Sequence, residues 1–264
     1  FAQKVVEMFD GQNELPESVG IQINSLDQGD ASAVDSSGGS GFSLHFDRDG
    51  SSMLVPATVQ GQAVYFLFDT GATTTTLAAW FAKEVNLLPK SDYPAVEFQT
   101  ANGPTVAQFG VIDRLVLGGR LHAGVTFSMC ASCPGGTFKG KPIVGLLGLN
   151  VISRYRVSID DGAGRIEMSP GTRYSDRTRD IMPWLVLEDF ETTIDTGRHK
   201  AFVRVRNIAP RRISEVTLVA KCADGTQIEV DQKPIEAGAK TTFTKLIAPG
   251  DCRIVGFDFD QPKW

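Results

Sequence analysis

The sequence predicts a mainly-β protein, and three observations predict it. Glycine supplies 27 of the 264 residues, a share that favours turns over long helices. Short runs of alternating apolar and polar residues, bounded by Gly, Pro, Asn and Asp, recur from Phe42 to the C-terminus. Against them stands one strong helical spacing, in residues 77–88.

Taken in order, residues 1–10 (FAQKVVEMFD) predict a short amphipathic helix with Val5, Val6 and Phe9 on one face, and 20–26 (GIQINSL) a short strand. Residues 29–41 (GDASAVDSSGGSG) are small, polar and glycine-rich, a flexible linker by composition. Residues 1–41 are therefore expected to form an N-terminal arm and linker rather than a core. From Phe42 the texture changes. Phe42, Leu44 and Phe46 alternate with polar residues, and Asp47-Arg48-Asp49-Gly50 makes a turn. Strands are expected at 54–59 and 63–68 around the turn Gln60-Gly61-Gln62, followed by Asp69-Thr70-Gly71-Ala72. In 77–88, Leu77, Trp80, Phe81, Val85 and Leu88 fall on one helical face, with Trp80 in the core and Pro89 as the stop. A hairpin follows, 96–100 and 105–111, turning at Ala101-Asn102-Gly103-Pro104. More strand is expected over 111–129 with a turn at Gly118-Gly119, then a glycine-broken apolar run at 143–152 and a closing hairpin around Asp160-Asp161-Gly162.

Residues 183–259 read differently. WLVLEDF, FVRVRN, EVTLVAK, QIEVDQK, TTFTKLI and RIVGFDF are short strands separated by turn residues. Their spacing predicts a C-terminal β-sandwich of the immunoglobulin or fibronectin type over 171–264. No repeat of solenoid period is present.

The net charge of -5, without a basic run or basic-aromatic stripe, gives no reason to expect nucleic acid as a partner. No stretch reaches the roughly 18 uninterrupted apolar residues of a bilayer span. The sequence opens on Phe1, and any membrane anchor is expected upstream of it.

The strongest chemical feature is Phe66-Leu67-Phe68-Asp69-Thr70-Gly71-Ala72-Thr73-Thr74. An apolar strand delivers Asp69 onto a tight turn of small residues. Gly71 allows close backbone approach, and Thr70 supplies a hydroxyl that can brace the loop. Four further features agree with it: Val59-Gln60-Gly61 about ten residues before, the helical spacing after it, the hairpin turn at Thr100-Ala101-Asn102-Gly103, and Leu146-Leu147-Gly148 leading into Leu149-Asn150-Val151-Ile152.

Together these make residues 50–170 resemble the retropepsin-like aspartic proteases, most of all their bacterial single-domain members. The resemblance implies an acid-protease β-barrel over 42–170. It implies Asp69 as the catalytic carboxylate, Thr70, Gly71 and Ala72 as its supporting loop, and a flap at Thr100, Ala101, Asn102 and Gly103 closing over an extended peptide. It also implies that Thr70 hydrogen-bonds across to a partner loop. Peptide hydrolysis of this kind needs two aspartates sharing one proton about a water molecule. The economical source of the second is Asp69 of another copy, since a two-fold axis brings identical loops face to face. The expected protein is thus a homodimeric aspartic endopeptidase acting on proteins or peptides, with no metal and no cofactor.

Two alternatives stand beside this. Asp195-Thr196-Gly197, with Ile254-Val255-Gly256 downstream, would suit a bilobed monomer. Against that, Arg198-His199-Lys200 follow where small residues are expected, and Glu191-Thr192-Thr193 precede where an apolar strand is expected, so a surface turn fits better. The other alternative is a catalytically silent scaffold that binds extended peptides.

Of the four cysteines, Cys130 and Cys133 form a C-x-x-C. Cys222 and Cys252 are too far apart to complete a zinc ribbon. Pro134-Gly135-Gly136 prevents the helix that a thioredoxin-type motif requires, leaving a structural loop staple or free thiols. The even count fits an oxidising compartment, and with the resemblance points to a periplasmic or membrane-anchored protein. His45, His122 and His199 lack metal-ligand spacing and are expected to be surface or structural. No serine sits in a nucleophile elbow. Asp47-x-Asp49-Gly50 and Asp160-Asp161-Gly162 lack the remaining ligands of a calcium loop.

Overall fold

Period-two burial builds the first half of the protein. In the computed structural model, which describes residues 41–264 apart from 92, 101–102, 132, 134, 172–175, 196–197 and 248–252, the chain is mainly β and divides into two compact units, one ending at Ser175 and one spanning Asp176–Trp264. The expected helix at 1–10 and strand at 20–26, and all of the N-terminal arm except Gly41, lie outside the described residues.

The first unit opens with β1 (Phe42–His45), β2 (Asp47–Asp49), β3 (Ser52–Val59), β4 (Gln62–Phe68) and β5 (Thr75–Ala78). The helix Ala79–Glu84 follows, then β6 (Ala95–Thr100), β7 (Gly103–Ile112), β8 (Leu115–Leu117), β9 (Arg120–His122) and β10 (Val125–Cys130). It ends with β11 (Gly136–Phe138), β12 (Lys141–Leu147), a one-turn helix Leu149–Ile152, β13 (Tyr155–Asp160) and β14 (Arg165–Pro170). A seven-stranded sheet runs β11-β12-β4-β3-β8-β9 with β2 also on β3; a four-stranded sheet runs β5-β10-β7-β6; a three-stranded sheet runs β1-β14-β13. Their inner faces share one core that includes Val55, Phe66, Phe68, Leu77, Phe81, Phe127, Val144, Leu147 and Val151.

Local turns make most neighbours antiparallel, but two pairings are parallel and join distant parts of the chain. β12 runs beside β4 with Leu147 opposite Phe68, and β10 runs beside β5 with Met129 opposite Leu77. The second pairing corrects the expected helix at 77–88. Leu77 is a buried strand residue, and the helix spans only Ala79–Glu84. Hydrogen bonds to β10 outweigh the helical spacing of the side chains. Asn86, at φ 58°, then turns the chain away, well before Pro89. Starting the helix at Ala79 also turns Phe81 and Ala82 inward and Trp80 outward. Trp80 is 46% exposed, not in the core as its spacing predicts.

The second unit contains a short helix Thr178–Ile181, a 3-10 turn Met182–Trp184, β15 (Leu185–Asp195), β16 (Arg198–Asn207), β17 (Ile213–Cys222), β18 (Gln227–Ile235), β19 (Lys240–Ile247) and β20 (Ile254–Lys263). Two three-stranded antiparallel sheets, β15-β16-β19 and β18-β17-β20, enclose Val203, Val205, Val216, Leu218, Ala220, Val230 and Phe243. Among the described residues no helix is long and apolar enough to cross a membrane.

Candidate active site

β4 is apolar because it lies in the middle of a sheet with both faces covered: Val64, Tyr65, Phe66 and Phe68 are all buried. It ends by handing the chain to Asp69, which is half-buried, while Thr70 and Gly71 are exposed. The turn is held at both ends. The Asp69 N–H donates to the Leu147 carbonyl at 3.1 Å. The Gly71 N–H donates to Asp69 Oδ1 at 2.8 Å, fixing the carboxylate orientation. A Cβ at position 71 would sit 3.2 Å from that same oxygen, which explains the glycine.

The rest of the loop rests on the segment leaving β12. The Leu149 N–H donates to the Ala72 carbonyl at 2.8 Å and the Asn150 N–H to the Thr73 carbonyl at 3.2 Å. Asn150, buried, is the hub. Its Oδ1 accepts from the Thr75 N–H and from the Thr75 hydroxyl, each at 2.8 Å, and its Nδ2 donates to the Thr126 carbonyl at 2.8 Å. Thr75 Oγ1 in turn accepts from the Gly148 N–H at 3.2 Å, and Thr76 Oγ1 from the Leu146 N–H at 2.9 Å. Two glycines permit this crossing. A Cβ on Gly148 would lie 2.5 Å from the Thr74 carbonyl carbon, and one on Gly145 would overlap the Thr76 carbonyl oxygen. A half-buried acid is thus presented at an exposed rim by a backbone fixed from below, an arrangement fit to hold a carboxylate toward a ligand without letting it swing.

The structure brings Asp69, Thr70, Gly71 and Ala72 into this one loop. For the expected flap, β6 and β7 form a hairpin whose last pair is Thr100 with Gly103; Ala101 and Asn102 lie outside the described residues. Asp195 is the last residue of β15, paired with Arg198 of β16. Among the described residues every partner of β15 and β16 is antiparallel, so no parallel strand runs beside the strand into Asp195 as β12 runs beside the strand into Asp69. Among the described residues no group of three or more His, Cys, Asp or Glu is placed to hold a metal.

Several residues that build the site went unread in the sequence. Asn150 is the polar exception in an otherwise apolar run, and that exception is the signal that would have found it. Thr75 and Thr76 sit in the run Thr73–Thr76, where nothing in the sequence separates the two hydroxyls that bond across the crossing from their neighbours. Cys130 and Cys133 are bonded to each other, so of the two readings, loop staple or free thiols, the staple is the one present. Cys222 is also disulfide-bonded; Cys252 lies outside the described residues. His122, expected to be surface or structural, is buried against Phe42 and Tyr155.

Residues 55–151 match the sequence model of the family described as aspartyl protease. No curated protein matches the chain. Among solved structures, one similar chain is a retropepsin-like aspartic protease from Rickettsia conorii, at 20% identity and a TM-score of 0.37, with 49% of this chain and 90% of that chain covered.

Proposed function

We propose that this chain, whose residues 55–151 match the aspartyl protease family model, is a retropepsin-type endopeptidase that hydrolyses peptide bonds only as a homodimer, with Asp69 of each copy forming one half of the catalytic dyad. The observation that carries this is the Asp69 turn itself. Its carboxylate is fixed by the Gly71 N–H and its backbone by Leu147, yet Thr70 and Gly71 remain exposed. A two-fold partner seated on that rim brings a second Asp69 to the first.

Two carboxyls that close cannot both ionise, so one holds a proton and the other acts as base. The base takes a proton from a water between them, and that water attacks the scissile carbonyl. The acid donates to the carbonyl oxygen, and collapse of the tetrahedral intermediate passes a proton to the leaving amine. In the same reading residues 98–109 cover an extended substrate and Thr70 bonds the partner loop. The second unit, with its two packed sheets, is read as a sandwich of the immunoglobulin or fibronectin type that positions substrate or partner. The disulfide Cys130–Cys133 favours an oxidising location, the periplasm or its membrane face.

The test is Asp69→Asn. Asn keeps an oxygen for the Gly71 N–H, so the unfolding temperature is expected to move little while cleavage of a protein substrate falls by about a thousandfold or more. A variant that cleaves at the wild-type rate removes Asp69 from the chemistry.

A further inference from the structure

The Cys130–Cys133 bond plays no part in the proposed hydrolysis, yet it touches the support of the Asp69 turn. We propose that this bond is a site of thiol–disulfide exchange with a dithiol reductant, and that opening it loosens the crossing beneath the turn and slows the enzyme.

Cys130 ends β10, where it lies opposite Ala78 of β5, and its partner follows three residues on. The hydroxyl of Thr76 lies 3.6 Å from Cys133 Sγ. A disulfide sulfur carries no proton, so the hydroxyl is the donor in that contact. The same oxygen accepts the Leu146 N–H at 2.9 Å. Leu146 adjoins Leu147, whose carbonyl receives the Asp69 N–H. The path from sulfur to catalytic backbone is therefore one hydroxyl and two residues of β12.

Two features mark the bond as exchangeable rather than merely structural, and a third sets its role. It closes a loop with only two residues inside, so it constrains the unfolded chain less than any longer crosslink and contributes correspondingly little to global stability. Both of its cysteines are partly exposed, whereas Cys222 is 4% exposed, and exchange requires access for an attacking thiolate. The loop runs into β11 and not into a helix, so no helix N-terminus stabilises a thiolate here. The pair is therefore an acceptor of electrons from a reductant and not itself a redox catalyst.

In the exchange, a thiolate of the dithiol attacks one sulfur of the pair. A mixed disulfide forms and the other cysteine leaves as a thiolate, which takes up a proton. The second thiol of the reductant then attacks the mixed disulfide. The reductant is oxidised to its disulfide, and the protein gains two electrons and two protons as Cys130 and Cys133 thiols. Each freed Sγ can rotate, and the Thr76 hydroxyl loses its fixed acceptor.

The experiment treats the protein with dithiothreitol, with peptide mass mapping after alkylation to establish which bonds open. Backbone amide exchange at Leu146 and Asp69 is followed beside cleavage of a protein substrate. The expected result is that Cys130–Cys133 opens while Cys222 stays bonded. Amide exchange at Leu146 then accelerates about tenfold, and cleavage falls about fivefold, the worth of one neutral hydrogen bond. Both recover on reoxidation. The double variant Cys130→Ser/Cys133→Ser should show the loosened state from the start and ignore the reductant. The cleavage arm rests on the proposed protease function and the amide arm does not, so an oxidised protein without cleavage would defeat that function and leave this test intact. The proposal is overturned if the bond resists the reductant, or if it opens while amide exchange at Leu146 stays as it was.

Discussion

His122 sets an acid limit on the first unit through one side chain. The ring is 4% exposed, packed against the Phe42 and Tyr155 rings. Its Nδ1 lies 3.5 Å from the Tyr155 hydroxyl, and its buried Nε2 has no hydrogen-bond partner among the described residues. Burial, followed by the charges of Arg154 and Arg120, lowers its pKa to about 3. The folded protein therefore holds the ring neutral while the unfolded chain protonates it near the ordinary value of about 6.5. Above that value the ring is neutral in both states and costs nothing. As the pH falls from 6.5 toward 3 the unfolded state binds the extra proton, and stability drops, by about 3 kcal/mol at pH 4. Urea unfolding at pH 7 and pH 4 checks this: His122→Leu should lose stability at pH 7 to imperfect packing, yet show a visibly shallower fall between the two pH values. An unchanged fall would place the acid sensitivity elsewhere. The same ring argues for cleavage at mildly acidic to near-neutral pH, where the fold is intact. Asn150 is the other decisive residue. Asn150→Leu leaves the Thr75 N–H, the Thr75 hydroxyl and the Thr126 carbonyl without their partner, an expected loss of about 3 kcal/mol or more in urea unfolding.

At the scale of elements, the site is a crossing of two strand ends, and its tolerance is set by Gly148. Gly148→Ala places a methyl group 2.5 Å from the Thr74 carbonyl carbon and 2.6 Å from the Thr75 nitrogen. Both are backbone atoms of the segment that leads from the Asp69 turn into β5, so that segment itself has to shift. The expected cost is about 2 kcal/mol in thermal or urea unfolding, with cleavage reduced more than tenfold because Asp69 moves with the loop. Full activity in that variant would show that the crossing does not position the acid. This element also marks the boundary of what the sequence discloses. The strand into Asp69, the hairpins and the Gly118-Gly119 turn were legible because alternation and turn chemistry act between near neighbours. The pairings of β12 with β4 and of β10 with β5 join residues far apart in the chain, and no local pattern encodes them. That is why Leu77 read as helical and Trp80 as core: their side chains have helical spacing, and only the distant β10 claims the backbone of Thr75–Ala78 for a sheet. Asn150 escaped for the same reason, since its side chain bonds to Thr75 of β5 and Thr126 of β10.

At the scale of the whole molecule, the proposed dyad takes one carboxylate from each chain, so in that reading activity belongs to a pair of chains and pairing can be poisoned. In the same reading a chain carrying Asp69→Asn still pairs but brings no second carboxyl. Mixed with wild type at nine parts to one and allowed to exchange, it should capture most wild-type chains in mixed pairs. The rate per wild-type chain is then expected to fall to about a tenth, the chance that a wild-type chain meets another. Dilution of wild type alone should lower specific activity over the range where size-exclusion or sedimentation shows the pair dissociating. A bilobed monomer drawing on Asp195 behaves otherwise: the inactive chain is a bystander, the rate per wild-type chain stays constant at any ratio, and Asp195→Asn abolishes cleavage. Among the described residues, the hairpin that ends β15 at Asp195 and returns at Arg198 has only antiparallel partners. Asp195→Asn should therefore cleave at the wild-type rate, while in the Asp69→Asn mixture the rate per wild-type chain falls as the share of inactive chain rises.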